Sequence, residues 1–174
     1  MPTLISTEIE TPIGIMLAAA YTQSEDAALV YADFIDKPKM RQSIEETLEK
    51  YYQCRLRVGQ TPLLQETQSQ LEDYFCGKLR AFRLSLAPPG TVFQRTVWDL
   101  LKQIPYGETW TYSQQAALYG KPSALRAVAA ANGKNPLSII VPCHRVIGKN
   151  GALTGYSGGL ERKAFLLDLE QRFK

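Results

Sequence analysis

The stretch Pro142-Cys143-His144-Arg145-Val146 places a thiol, an imidazole and a guanidinium in consecutive positions. His144 is the only histidine among the 174 residues. A free cysteine has a pKa of about 8.5, so near neutral pH it needs a base or a positive field to become a nucleophilic thiolate. These residue types therefore suit nucleophilic chemistry at Cys143 with His144 as the base. A buried structural cysteine beside a structural histidine is the alternative interpretation.

The segment before this stretch must position the pair. Ile139-Ile140-Val141 is an apolar, β-branched run that predicts a short buried strand, which Pro142 would end. Neighbouring side chains of a strand point to opposite faces. His144 can therefore assist Cys143 only if the backbone turns at this point or a water molecule bridges the two side chains.

The composition, 45% hydrophobic and 21% charged, is that of an ordinary globular protein of one domain or two small ones. No apolar run approaches the roughly 20 residues that span a bilayer, and the N-terminus lacks a signal-peptide pattern. We therefore expect a cytoplasmic protein, or a nuclear one in a eukaryote, without a membrane partner. Cys54, Cys76 and Cys143 fit neither a disulfide framework nor a zinc site, and a single histidine excludes a His-rich metal site.

Charge is distributed unevenly along the chain. Residues 1–90 contain 9 Lys/Arg against 12 Asp/Glu, a net charge of −3, whereas residues 91–174 contain 11 against 5, a net charge of +6. The second half is therefore the part expected to contact a polyanion, although a solvated basic face would have the same composition.

Residues 1–90 show no catalytic constellation. Their patterns predict strands over residues 4–10, 13–21, 28–35 and 82–86, and helices over residues 40–52 and from Thr61 toward Gly77. Pro88-Pro89-Gly90 can continue neither a strand nor a helix, so we place a domain boundary there.

The second half begins with a helix over residues 92–104, capped by Thr91. A short helix near residues 112–119, a turn at Gly120-Lys121-Pro122 and an alanine-rich helix near 123–133 follow. Two helices joined by a tight turn that contains glycine are typical of a helix-turn-helix motif. Many such helix pairs bind nothing, so the pattern alone does not establish DNA binding.

The alanine-rich helix has an unusual start. Ser123 can cap it, but Arg126 occupies the third position, where a glutamate would complete a capping box and complement the helix dipole. Arg126 and Lys121 surround a helix N-terminus whose free N–H groups favour phosphate. The alanines, including Ala127, keep the helix slim, which suits either close packing on a neighbouring element or entry into a narrow groove. Arg126 therefore either contacts a nucleic acid or is a solvated charge.

The C-terminal segment contains a glycine-rich loop and a last helix. Gly155-Tyr156-Ser157-Gly158-Gly159 is either a linker or a loop whose backbone approaches another group closely. The helix is predicted over residues 160–172, with an inward face of Leu160, Phe165, Leu166, Leu167 and Leu169. Glu170 lies near this apolar face, where it either is solvated or orients a histidine.

Taken with its neighbours, the Cys143 stretch resembles the O6-alkylguanine-DNA alkyltransferases, also called methylated-DNA–protein-cysteine methyltransferases. The resemblance covers about residues 91–174. It rests on five further motifs in the family's order: Phe93-Gln94-Arg95 with Val97-Trp98, Ile104-Pro105 with Gly107, Arg126-Ala127-Val128, Asn135-Pro136 and Gly155-Tyr156-Ser157-Gly158-Gly159. Ala164-Phe165 departs from the acidic residue and tryptophan of many relatives, and Ser138 from the proline of some.

The resemblance implies direct reversal of DNA damage, in which the alkyl group of O6-alkylguanine moves irreversibly to Cys143, with O4-alkylthymine as a second possible substrate. In this family pattern Cys143 is the nucleophile, His144 takes its proton through water, and Glu170 holds the imidazole tautomer. Tyr112 donates to the guanine ring and Asn135 braces the turn that presents the cysteine. The carbonyls of Cys143 and Val146 read the guanine edge. The loop backbone at Tyr156, Ser157 and Gly158 reads it as well.

The resemblance also implies a partner and a fold. The partner is duplex DNA bound through the minor groove, where Arg126 fills the space of the flipped nucleotide and Ser123 and Ala127 contact the DNA. The implied class is α+β: an N-terminal α/β domain, residues 1–90, with a mostly antiparallel sheet, and a mainly helical C-terminal domain, residues 91–174, with a winged helix-turn-helix-like motif. We expect a monomer that needs neither a cofactor nor a metal. Whether it binds DNA cooperatively is left open.

Two other classes of protein compete with this interpretation. A non-catalytic helix-turn-helix binder of alkylated or undamaged DNA would explain the basic second half, but it would leave the Cys143-His144 pair and the glycine-rich loop without a role. A cysteine hydrolase would explain that pair but not Arg126 or the uneven charge.

Overall fold

The computed structural model describes residues 1–174, which form two compact units, Met1–Pro89 and Gly90–Lys174. The division falls within the Pro88-Pro89-Gly90 stretch that the sequence suggested as a boundary. No helix in the chain has both the length and the apolar character that crossing a membrane requires.

The first unit is built on a four-stranded sheet in the order β3-β2-β1-β4. Its strands are β1 (Thr3–Thr11), β2 (Gly14–Gln23), β3 (Asp26–Phe34) and β4 (Leu56–Val58). The first three strands pair antiparallel, and only β4 runs parallel to its neighbour β1. The prediction of a mostly antiparallel sheet is therefore confirmed.

Two helices complete this unit, α1 (Pro38–Tyr52) and α2 (Pro62–Phe75). The hydroxyl of Thr61 caps α2 by accepting a hydrogen bond from the Leu64 N–H at 3.2 Å. The predicted strand over residues 82–86 is wrong, because this segment makes only an isolated bridge between Leu86 and Leu29.

The second unit is mainly helical. Its helices are α3 (Val92–Leu101), α4 (Tyr112–Leu118), α5 (Leu125–Gly133) and α6 (Leu160–Arg172). Its two short strands, β5 (Trp110–Thr111) and β6 (Val146–Ile147), pair in parallel. Three 3₁₀ turns lie at Pro122–Ala124, Cys143–Arg145 and Lys149–Gly151. This unit, with α4, the following turn and α5, has the helix-turn-helix-like arrangement expected from the sequence.

Local sequence explains where these helices begin. Both α3 and α4 start with a capping box, formed by Thr91 with Gln94 and by Thr111 with Gln114. The prediction that Ser123 caps the alanine-rich helix is wrong, because Ser123 lies inside the 3₁₀ turn and α5 has no side-chain cap. Arg126 is consequently the second residue of α5.

Helix α6 spans the predicted range, but its inward face is narrower than expected. Leu160 is 48% exposed and Phe165 is 40% exposed. Leu166 and Leu169 are buried, and two charged residues, Lys163 and Glu170, are buried with them. Charged side chains are almost never fully buried without partners, so this face of α6 marks a polar site.

Candidate active site

The segment before the reactive stretch is a pair of tight turns. Ile139 has a φ of 71°, which is a strained conformation for a β-branched residue. The Ile140 N–H donates to the Ser138 carbonyl at 2.8 Å, and the Val141 N–H donates to the Leu137 carbonyl at 2.9 Å. The prediction of a buried strand over residues 139–141 is therefore wrong, although the segment is buried as expected.

A buried amide supports these turns. The Asn135 side chain donates from Nδ2 to the Val141 carbonyl at 2.8 Å and accepts from the Leu137 N–H at 3.0 Å. The same Val141 carbonyl accepts a hydrogen bond from the Cys143 N–H at 2.8 Å. Asn135 and Cys143 thus share the Val141 carbonyl as their hydrogen-bond acceptor. The hydrogen bonds of Asn135 stabilise turns where the β-branched run alone would favour a strand.

Cys143 and His144 lie in the 3₁₀ turn Cys143–Arg145, so the backbone does turn at the point where the pair required it. A hydrogen bond from the Val146 N–H to the Cys143 carbonyl closes this turn. Cys143 is 6% exposed and His144 is fully buried.

Glu170 joins the two residues that follow Cys143. Its Oε1 lies 2.7 Å from His144 Nε2, and its Oε2 accepts from Arg145 Nε at 2.9 Å. Arg145 makes a second contact with the carboxylate, from Nη2 to Oε1 at 3.0 Å. The Gly107 N–H also donates to Oε2, at 3.3 Å. One carboxylate on α6 therefore orients both the imidazole and the guanidinium.

This environment sets the protonation states. Burial alone would raise the pKa of Glu170, but the hydrogen bonds from His144 and Arg145 and the positive charge beside the carboxylate outweigh it and lower the pKa to about 2. Burial lowers the pKa of His144 and outweighs the hydrogen bond and charge of Glu170, which act in the opposite direction; the charges of Arg145 and Lys163 lower the pKa further. His144 is therefore neutral near pH 7 and donates from Nε2 to Glu170. Its Nδ1, which has no hydrogen-bond partner within the protein, is then the basic nitrogen.

Lys163 is a buried cation that the sequence reasoning missed. Its Nζ donates to the Val146 carbonyl at 2.5 Å and to the Thr154 carbonyl at 2.7 Å. The same nitrogen lies 5.8 Å from the centre of the Tyr112 ring. Burial lowers the pKa of Lys163 to about 8, and the negative charge of a Cys143 thiolate opposes that shift.

Tyr112 is the first residue of α4 and is half-buried. Its hydroxyl donates to the Thr154 carbonyl at 3.0 Å, which ties α4 to the segment before the glycine-rich loop. Burial raises the pKa of this hydroxyl, and the charge of Cys143 acts in the same direction. Tyr112 therefore keeps its proton at neutral pH, and in this structure that proton is donated to the Thr154 carbonyl.

The glycine-rich loop lies next to these residues. Tyr156 is buried, Ser157 is exposed and Gly158 is half-buried. A Cβ on Gly158 would lie 2.7 Å from the Tyr156 ring, and a Cβ on Gly155 would lie 3.1 Å from the Tyr112 hydroxyl. The loop backbone therefore approaches two aromatic side chains too closely for larger residues, which favours the close-approach interpretation over that of a plain linker.

The remaining candidate residues lie on the outer side of the helix-turn-helix. Ser123, Arg126 and Ala127 are exposed, as is Lys121 in the preceding turn. Val128 is buried under α5. These residues form a surface separate from the buried group around Cys143, and no group of His, Cys, Asp and Glu side chains could hold a metal ion.

Two of the missed residues had signals in the sequence. Arg145 follows the cysteine-histidine pair directly, but only the structure gives its carboxylate partner. Lys163 precedes Glu170 by seven residues, which places both on one face of a helix. A buried cation aligned with a buried carboxylate is thus readable from helical spacing, provided that the helix is known to face inward.

Comparisons with known proteins agree with this geometry. Residues 92–172 match the family model of the 6-O-methylguanine DNA methyltransferase DNA-binding domain. The methylated-DNA–protein-cysteine methyltransferase of Methanosarcina acetivorans is 47% identical over 161 residues, covering 92% of this chain and 94% of the relative. The constitutive enzyme of that name from Bacillus subtilis is 44% identical over 170 residues, covering 95% and 94%.

Solved structures extend the similarity over the whole chain. The Mycobacterium tuberculosis O6-methylguanine methyltransferase has a TM-score of 0.77 and 38% identity, covering 100% of this chain and 95% of that one. Mycobacterium tuberculosis OGT in complex with DNA has a TM-score of 0.77 and 37% identity, covering 98% and 94%. Matches of this identity and coverage, together with the buried cysteine site, show that the chain belongs to the methylated-DNA–protein-cysteine methyltransferase family.

Proposed function

We propose that this protein repairs DNA directly, by moving the alkyl group of O6-alkylguanine in duplex DNA to the sulfur of Cys143. The observation that carries the proposal is the arrangement of Glu170 and His144. The Glu170 carboxylate accepts a hydrogen bond from Nε2–H of the neutral His144 imidazole, with 2.7 Å between Oε1 and Nε2. The other ring nitrogen, Nδ1, is left as the base, and His144 directly follows Cys143 in the chain. The names of the relatives support the activity.

The first step is formation of the thiolate. His144 Nδ1 takes the proton of Cys143 through a water molecule that bridges the two side chains. Glu170 stabilises the imidazolium that forms. The charge of Lys163 interacts favourably with that of a Cys143 thiolate, which opposes the cost of burying the charged sulfur.

The second step is an in-line displacement at a saturated carbon. The thiolate attacks the alkyl carbon, the bond from that carbon to guanine O6 breaks, and its electron pair stays on the base. Tyr112 donates a hydrogen bond to the ring as this negative charge develops, and its O–H must turn from the Thr154 carbonyl to do so. A raised pKa keeps the proton on this hydroxyl for that role. The carbonyls of Cys143 and Val146 and the backbone of Tyr156, Ser157 and Gly158 are the groups that would hold the guanine edge. The Val146 carbonyl already accepts from Lys163 Nζ, so a guanine N–H would share this acceptor with the lysine.

The target carbon is inaccessible inside a stacked duplex, so the nucleotide must flip out at a cost of a few kcal/mol. Arg126 is exposed on the second residue of α5 and is available to occupy the space that the base leaves. The slim face around Ala127 and Ser123 suits a minor groove, and Lys121 can contact phosphate. Minor-groove docking, the monomeric state and the cytoplasmic location remain predictions.

The product is a thioether, which disulfide exchange cannot reverse, so each molecule reacts once. The test is incubation with a tenfold excess of duplex DNA that carries radiolabelled O6-methylguanine, followed by counting of protein-bound label. The expected endpoint is one methyl group per molecule with no further reaction. Continued loss of O6-methylguanine after that endpoint would contradict the stoichiometric mechanism. A non-catalytic DNA binder would show binding without any label on the protein.

A further inference from the structure

Helices α4 and α5 are joined by a buried pair of side-chain amides, Gln115 and Asn132. Gln115 Nε2 donates to Asn132 Oδ1 at 2.9 Å, and Asn132 Nδ2 donates to Gln115 Oε1 at 2.6 Å. Gln115 is fully buried and Asn132 is 4% exposed. Each amide thus uses its carbonyl and one N–H on the other, and the contact fixes both distance and orientation.

The other contacts of α5 in this region are of two kinds. Trp98 Nε1 on α3 donates a hydrogen bond to the Ala131 carbonyl of α5 at 2.8 Å. The buried cluster between α3, α4 and α5 consists of Val97, Ala116, Val128 and Ala131, with Phe93, Tyr119 and Ala124 packed against it. Alanines interlock weakly because their side chains are short, so small shifts of α5 along α4 change the packing little. A reciprocal pair of hydrogen bonds is directional, and a shift in either direction would break both.

The amide pair also lies at a junction of the site. The Asn132 carbonyl accepts a hydrogen bond from the N–H of Asn135, whose side chain holds the turn before Cys143. Gln115 lies one turn after Tyr112 on α4, and Asn132 lies six residues after Arg126 on α5. Six residues of helix correspond to about 9 Å, so the pair is close to both functional ends of the motif.

We infer that Gln115 and Asn132 are positioning residues that set α5, and with it Arg126, relative to the Tyr112 end of α4. The inference rests on the proposed function, because Arg126 matters only if a nucleotide is flipped from duplex DNA. Loss of the pair should therefore slow reaction with duplex substrates more than reaction with substrates that need no flipping.

Four variants test this: Gln115→Leu, Asn132→Leu, the double Leu variant, and the exchanged pair Gln115→Asn with Asn132→Gln. Each single variant leaves one buried amide without a partner and should lose stability, whereas the double Leu variant removes both amides and should regain part of it. The exchanged pair keeps two amides of the same combined length and serves as the matched control.

The readouts are the melting temperature and the single-turnover rate of methyl transfer on two substrates. One substrate is a 20-base-pair duplex with a central O6-methylguanine, and the other is a single-stranded trinucleotide with the same base. We expect the double Leu variant to react about tenfold more slowly on the duplex, a typical consequence of a small misplacement, and within about twofold of wild type on the trinucleotide. The exchanged pair should restore the duplex rate.

A double Leu variant that repairs the duplex at the wild-type rate would overturn the inference, as would equal slowing on both substrates. If that variant does not fold, the exchanged pair decides: a wild-type duplex rate supports the positioning role, and a slow duplex rate in a protein of normal melting temperature refutes it. Absence of transfer by wild type on either substrate would instead contradict the proposed function.

Discussion

Replacing Glu170 by glutamine tests the buried network on which the site depends. The carboxylate contacts His144, Arg145 and the Gly107 N–H, and it is fully buried. A glutamine can accept from His144, but its NH₂ group would face the guanidinium of Arg145, which has only donors. The variant therefore loses the ion pair and leaves a buried cation without a counter-charge.

The magnitude follows from the pKa of the carboxyl. Folding lowers it from an ordinary value of 4.5 to about 2, which corresponds to about 3 kcal/mol of stability at pH 7. Because the folded pKa lies below the unfolded value, this contribution is fully present above about pH 4.5 and is lost as the pH falls toward 2. By pH 3 it should have decreased to roughly half of its value at pH 7.

The assay is urea unfolding followed by tryptophan fluorescence, with wild type and Glu170→Gln compared between pH 7 and pH 3. Both tryptophans, Trp98 and Trp110, belong to the unit that contains Glu170, so the signal reports on that unit. Glu161→Gln, at the exposed start of the same helix, is the matched control and should cost less than about 1 kcal/mol. A gap below 1 kcal/mol at pH 7, or one that does not narrow with acid, would refute the reasoning.

Three further variants probe the chemistry and the DNA surface. Cys143→Ser should keep wild-type affinity for duplex DNA in a gel-shift assay and lose methyl transfer; loss of both in a folded protein would make the cysteine structural. Arg126→Ala should change stability by less than about 0.5 kcal/mol, because the side chain is exposed, yet slow duplex repair about tenfold; an unchanged duplex rate would rule out its role in flipping. Lys163 has a pKa lowered to about 8, so its charge is present below pH 8 and lost above it. Relative to Lys163→Met, wild type should therefore lose its rate advantage between pH 7 and pH 9, and a constant ratio of rates would contradict this.

Much of the fold could be predicted because its signals are local. Thr61 and Thr91 cap helices where the sequence places them, since a cap depends only on the next three residues. The three long strands were predicted within two residues at most of their ends. The prediction for Ser123 failed because Pro122–Ala124 forms a 3₁₀ turn, so α5 begins at Leu125, two residues later than predicted.

The wrong predictions have a different cause, namely side-chain contacts that local propensity and spacing do not reveal. The run Ile139-Ile140-Val141 has strand propensity, but the side-chain amide of Asn135 stabilises turns in its place. Leu160 and Phe165 fit an apolar face by spacing, yet that face of α6 is used by Lys163 and Glu170. The position of Glu170 near the apolar face of α6 already suggested that it orients a histidine. Its pairing with Arg145 was not predicted, because 25 residues separate Arg145 from the carboxylate.

The central claim is that Cys143 itself accepts the alkyl group. Its most direct test is intact-protein mass spectrometry after reaction with duplex DNA containing O6-methylguanine, followed by peptide mapping. We expect one added methyl group, located on Cys143, with Cys54 and Cys76 unmodified. A folded, reduced protein that remains unmodified, or that carries the methyl group on another residue, would contradict it.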